Sequence, residues 1–226
     1  MIEKQTSYGD SKFWRFVNLA GNTIGANLFF ILCCLPVVTI GPATCGLYSA
    51  IRYLIRKESW FQGFLEGFKK HFVRSMIAGL LVVGAMVYLL LNFNVAFNFY
   101  TETGDFMPMI TSAIPMLFPT LLAAALWPLN IYVPYNTMDW LKNAVNLIVK
   151  APLMVLASAA LWWFPVFFIL YFIGLAAGVI IVFLGIYFAL CAFVSTILLK
   201  DTLVYFLNLY RAEHPEELPE TNKEGE

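Results

Sequence analysis

Four long windows of this chain contain no Asp, Glu, Lys, Arg or His. They run Phe16–Ile51, Ser75–Thr101, Phe106–Met138 and Ala151–Leu199, and are 36, 27, 33 and 49 residues long. A hydrocarbon core ~30 Å thick is crossed by ~20 helical residues. The second window therefore holds one crossing, the third one long proline-interrupted crossing, and the fourth two. Inside a bilayer every backbone N–H and C=O must be satisfied within the protein, which makes helices the solution for runs of this kind. Composition agrees: 61% of residues are hydrophobic and 12% charged, where a soluble domain carries about a quarter charged. The expected fold is all-α, a polytopic transmembrane helix bundle in one domain over residues 1–211. The polar, acidic stretch 212–226 is expected to be a disordered cytoplasmic tail.

The basic residues set the orientation. Every Lys and Arg belongs to one of four clusters: Lys4, Lys12 and Arg15; Arg52, Arg56, Lys57, Lys69, Lys70 and Arg74; Lys142 and Lys150; and Lys200, Arg211 and Lys223. The connection Tyr100–Asp105 carries Glu102 and Asp105 and no positive charge. Since cytoplasmic loops concentrate Lys and Arg, segment 52–74 reads as inside and 100–105 as outside. Crossings are then expected at 75–99, 107–133, 151–172 and 178–199. The apolar run after Arg15 is much longer than a signal-peptide core and lacks a small-x-small cleavage site, so it reads as an uncleaved first helix.

If the first window held a single crossing, three positive charges would lie outside. If it holds a full helix and a short second one near 43–56, all basic residues are cytoplasmic. Pro36 and the Gly41-Pro42 pair supply the necessary break. The expectation is six membrane segments, the second short, with both termini cytoplasmic.

Two segments have a different pattern. In 60–74, Trp60, Phe61, Phe64, Leu65, Phe68 and Phe72 share one helical face, and Gln62, Glu66, Lys69, Lys70 and Arg74 lie opposite. In 138–150, Trp140, Leu141, Ala144, Val145 and Ile148 face away from Asp139, Lys142, Asn143, Asn146 and Lys150. Helices that are apolar on one side and basic on the other suit the membrane interface. Both are expected to lie on the cytoplasmic surface, anchored to anionic headgroups or docked on a partner.

Chemistry-bearing patterns are missing from the sequence. The four windows hold no ionisable carboxylate, amine or imidazole to relay protons. No Walker A, HExxH or GxSxG arrangement occurs, and Cys33, Cys34, Cys45 and Cys191 have no neighbouring His with metal-ligand spacing. The expectation is a non-enzymatic protein with no cofactor, metal or nucleic-acid partner. Uncharged polar residues remain: Asn18, Asn22, Thr23 and Asn27 in the first helix, and Asn94, Asn98, Asn130, Tyr132 and Tyr135 as a candidate polar path. The alternative to a path is interhelical hydrogen bonding. Pro108, Pro115, Pro119, Pro128 and Pro134 could likewise open a cavity or merely kink a helix.

The stretch Leu35-Pro36-Val37-Val38-Thr39-Ile40-Gly41-Pro42, followed by Phe64, Phe68 and Phe72 at four-residue spacing, resembles the YesL-like family of bacterial integral membrane proteins. The resemblance extends in length and layout over about residues 10–211. It implies a plasma-membrane protein, of a Gram-positive bacterium, connected with carbohydrate ABC import or polysaccharide utilisation. That family is a domain of unknown function, so no binding or catalytic residue carries over. Leu35, Pro36, Thr39, Gly41, Pro42, Phe64, Phe68 and Phe72 are expected to be structural. The leading expectation is an accessory protein touching ABC importer subunits and the lipid bilayer; the alternative is an autonomous transporter or channel for an uncharged small solute or lipid. The sequence leaves the oligomeric state open.

Overall fold

A computed structural model describes residues 12–70, 72–171 and 177–214. Its elements are α1 (Lys12–Cys34), a 3-10 turn at Val37–Thr39, α2 (Ile40–Ile55), α3 (Trp60–Lys70), α4 (Phe72–Thr103), α5 (Met107–Ala113), a second 3-10 turn at Ile114–Met116, α6 (Leu117–Tyr132), α7 (Thr137–Lys150), α8 (Pro152–Tyr171) and α9 (Ala177–Glu213). All regular structure among the described residues is helical. The part of the expected tail from residue 215 onward lies outside the described residues, as does His71.

Among the described residues, four helices are long and apolar enough to cross a membrane: Val17–Cys34, Phe72–Thr103, Met107–Tyr132 and Ile186–Glu213. A fifth candidate is the bent pair Met138–Lys150 and Pro152–Phe164, which turns through 104°. These lengths fit a membrane protein. Six segments were expected: the one at 151–172 qualifies only through this bent pair, and the short one near 43–56, α2, does not qualify. Its 16 residues extend ~24 Å, short of a ~30 Å core. The last helix, by contrast, continues well past the expected end at 199. At 37 residues it extends ~55 Å, longer than any bilayer core.

The chain falls into two compact units, one of residues up to Leu80 with Trp162–Phe193, the other of Leu81–Leu161 with Val194 onward. In the first unit, α1 stops at Leu35 because the residue before a proline disfavours helical backbone. The Thr39 hydroxyl then lies 2.5 Å from the Cys33 carbonyl oxygen and 2.7 Å from that of Pro36. It thereby satisfies carbonyls left open at the end of α1. Pro42 sits in the first turn of α2, where a missing N–H costs nothing. Residues Gly41 to Ile51 of α2 are all buried, so this helix is enclosed by protein. Buried Asn27 of α1 accepts a hydrogen bond of 2.8 Å from the Ala189 N–H of α9, the interhelical role expected of such groups.

In the second unit α4 reverses through Gly104, whose positive φ of 73° suits glycine. The expected proline break in the following span is a single 3-10 turn containing Pro115, between α5 and α6. Further on, α7 buries Trp140, Ala144 and Leu147, while Leu141 and Val145 stay over 40% exposed. The Trp140 Nε1–H donates to the Leu126 carbonyl at 2.9 Å and the indole lies 6.3 Å from that of Trp127. Replacing Trp140 with Phe keeps an aromatic ring but removes the donor and part of the buried indole. Thermal unfolding followed by fluorescence should show a loss of about 2 kcal/mol from the lost bond and the void together; an unchanged midpoint would mean that neither contributes. Ser158 and Ser195 form a second buried contact, Oγ to Oγ at 2.8 Å, between α8 and α9.

Candidate functional site

The tightest packing in the first unit joins α2 to α3. Hydropathy alone assigned α3 an aromatic face and a polar face, but the side turned to α2 is set by glycine. Gly63, Phe64 and Gly67 are its buried residues. A Cβ on Gly67 would collide with the Ser49 side chain and sit 2.7 Å from the Cys45 carbonyl oxygen. On Gly63 it would overlap the Tyr53 ring. The reciprocal position Gly46 receives Phe64, whose ring would be 2.9 Å from a Cβ there. Glycines four residues apart let two helix backbones approach closely. The Gly63-x-x-x-Gly67 spacing was the available sequence signal for this contact.

The pairing is antiparallel, because Gly63 meets Tyr53 while Gly67 meets Cys45 and Ser49. Chain direction then brings the start of α4 to the start of α2. Gly41 lies against the Ser75 carbonyl and the Gly79 Cα of α4, so closely that a Cβ would overlap the carbonyl. The motif residues thus have identifiable jobs. Leu35 and Pro36 form the exposed corner, Thr39 bonds the end of α1, and Gly41 and Pro42 make the buried contact with α4. Phe64 is the 1% exposed anchor. Phe29 of α1 meets it edge-on at 4.9 Å. Phe68 stacks on Phe64 at 6.1 Å and Phe72 lies 5.4 Å from Phe68.

With its glycine stripe occupied, α3 leaves the rest of its surface outward. Phe61 is 43% exposed, and Gln62, Glu66, Lys69 and Lys70 are exposed as well. The Tyr53 hydroxyl donates to the Glu66 carboxylate, tying α3's polar side to α2. In the second unit α7 presents a similar surface. Met138 and Val149 are 70% and 76% exposed, and Lys142 lies 4.0 Å from Asp139 in an exposed pair of the kind that adds little stability.

The candidate polar path divides into two groups. Ala85 of α4 and Pro119 of α6 line the same apolar recess of the second unit. Asn98 lies ~20 Å along α4 in one direction from that level, and Asn130 ~16 Å along α6 in the other. Asn94 and Asn98 are exposed and bonded to each other at 3.3 Å. Asn130 is buried and Tyr132 half-buried. Tyr135 follows α6, its hydroxyl donating to the Phe206 carbonyl at 3.3 Å and its ring edge-on to Tyr210 at 5.3 Å. Burial, with the carboxylates of Glu213 and Asp139 adding to it, pushes the Tyr135 phenol up to about 12. The phenol therefore remains a neutral donor at physiological pH. Near it, the Lys150 ammonium sits 3.1 Å over the Tyr205 ring, a cation–π contact. The extension of α9 past residue 199 creates this cluster, and the sequence reading missed it by ending the helix too early.

Residues 23–93 match the family model described as a protein of unknown function, DUF624. The match takes in the second half of α1, the whole α2–α3 hairpin and the first two thirds of α4. No curated protein and no solved structure matches the chain.

Proposed function

We propose that the chain is a non-enzymatic accessory protein of the bacterial plasma membrane, YesL-like, whose α2–α3 hairpin is a docking platform on the cytoplasmic face. The observation that carries this reading is the Gly41–Ser75 contact. The basic cluster 52–74 marks one membrane face by the positive-inside rule. Six segments would put Gly41 on the far face, yet it touches the residue next to Arg74. The Gly41 end of α2 thus stops short of the far face. In this reading α1 and α2 form a re-entrant hairpin, and α4, α5–α6, α8 and α9 make four crossings. Non-crossing backbone within a bilayer is tolerated where protein encloses it, which suits the complete burial of α2. All Lys and Arg remain cytoplasmic, as do both termini.

Such a platform presents Phe61, Lys69 and Lys70 of α3 to a partner. The YesL-like resemblance points to subunits of a carbohydrate ABC importer or a polysaccharide-utilisation system. The test is purification of the intact protein in mild detergent from its native host. Importer subunits should co-purify with the wild type and be lost from a Phe61→Asp, Lys69→Glu, Lys70→Glu variant that elutes as a folded species. Recovery of no importer subunit with the wild type would sink the accessory role. The alternative, an autonomous transporter or channel for an uncharged solute or lipid, predicts uptake into proteoliposomes containing this chain alone; the accessory reading predicts none.

A further inference from the structure

The first unit contains a cavity of about 1060 Å³ between α1, the end of α2 with its following turn, and α9. This is at the top of the range for small-molecule sites. Its chemistry is sorted. Ile51, Ile55 and Leu190 represent the apolar walls, while Asn18 and Asn22 of α1 and Lys57 and Glu58 of the turn supply the polar groups. Asn18 and Asn22 are one helical turn apart, so their amides project from one face of α1. Lys57 and Glu58 form no ion pair with another side chain among the described residues. One cation and one anion, adjacent and exposed, therefore stand with the two amides at the edge of an apolar space.

The backbone at Lys57 adds a second observation. The Lys57 N–H bonds the Leu54 carbonyl at 3.0 Å and the Glu58 N–H bonds the Tyr53 carbonyl at 2.9 Å. This is the helix-ending motif whose left-handed position is usually glycine. Lysine occupies it here with φ 61°, a strained choice for a residue with a side chain. Backbone outliers of this kind cluster at ligand clamps and other functional sites.

We infer that this cavity binds one glycerophospholipid with a zwitterionic phosphoethanolamine headgroup. The phosphate pairs with the Lys57 ammonium and the lipid's own ammonium with the Glu58 carboxylate. The Asn18 and Asn22 amides donate to the ester carbonyls, and an acyl chain lies along Ile51 and Leu190. Charge complementarity selects this headgroup: an anionic lipid would leave Glu58 opposed to like charge, and a headgroup-free diacylglycerol would leave both charges unmatched. The ligand enters from the bilayer, to which α1 offers exposed Leu19 and Leu28. The inference is independent of the accessory role.

Native mass spectrometry of the delipidated full chain tests it, with dioleoylphosphatidylethanolamine, dioleoylphosphatidylglycerol and dioleoylglycerol added separately. One phosphatidylethanolamine per chain should be retained, with the other two held at least about fivefold less. Ile55→Trp, at a half-exposed wall residue, should displace the lipid by filling the space. Lys57→Gly should lower retention about tenfold and, because glycine relieves the left-handed strain, raise the Tm of the lipid-free protein by about 2–4 °C. Equal retention of phosphatidylglycerol or dioleoylglycerol would overturn the headgroup assignment. Retention unchanged in both variants would overturn the site and identify bound lipid as annular.

Discussion

Gly41→Ala should lower the Tm by about 10 °C and leave much of the protein aggregated on extraction. The added methyl would occupy the space of the Ser75 carbonyl oxygen, and that atom is backbone in the first turns of α4. A flexible side chain could rotate away; a helix carbonyl can move only with its helix. Overpacking at a rigid contact costs about 1–3 kcal/mol and sometimes more, and in a protein of this size each kcal/mol shifts Tm by about 2–4 °C. Alanine is otherwise the better helix former, so propensity alone predicts the opposite sign. Fluorescence-detected size exclusion after stepped heating measures the difference. A midpoint within about 2 °C of wild type would show that α2 and α4 do not meet at this position.

The second large effect is expected at Gly67. Gly67→Leu would drive a branched side chain into Ser49 and the Cys45 carbonyl, separating α3 from α2 along the contact that buries both. By hydropathy the substitution is favourable, since it extends the apolar character of an interfacial helix. Packing decides against it: we expect destabilisation of about 3 kcal/mol or more. Gln62→Leu, on the exposed polar side of the same helix, should be within about 0.5 kcal/mol of wild type. The paired comparison separates a packing effect from a change in hydrophobicity. Equal behaviour of the two variants would contradict the glycine-mediated contact.

These two positions also show what the sequence could and could not convey. The charge-free windows were enough to predict a helical membrane protein, because an empty stretch of ~20 residues has few other solutions. The helices expected at 60–74 and 138–150 were likewise visible from their periodicity, although Phe72, Val73 and Arg74 belong to α4. Which side of α3 packs was not, because a hydropathy pattern gives glycine little weight while the missing side chain controls helix approach. The segment near 43–56 was less legible for a related reason. Counting positive charges tells which loops share a face; it does not distinguish a helix that crosses from one that returns to the face it left. The Gly41–Ser75 contact is what bears on that distinction. The separation of Asn94 and Asn98 from Asn130 was legible, because crossings at 75–99 and 107–133 put the first pair at one end of the bundle and Asn130 at the other. The cluster around Tyr135 depends on α9 continuing through Lys200 and Asp201. Those charges suggested a membrane boundary, but a boundary in the membrane is not the end of a helix.

The hairpin's place on the membrane can be measured by cysteine labelling. Cys33, Cys34, Cys45 and Cys191 would be replaced by Ala, and single cysteines introduced at Ser7, Val38 and Thr103. A membrane-impermeant maleimide added to intact cells should label Thr103→Cys, at the end of α4 that the charge pattern assigns to the outside, and neither Ser7→Cys nor Val38→Cys. Labelling of Val38→Cys from outside, at a rate comparable with Thr103→Cys, would mean that the α1–α2 corner reaches the outer face and that α2 crosses the membrane after all.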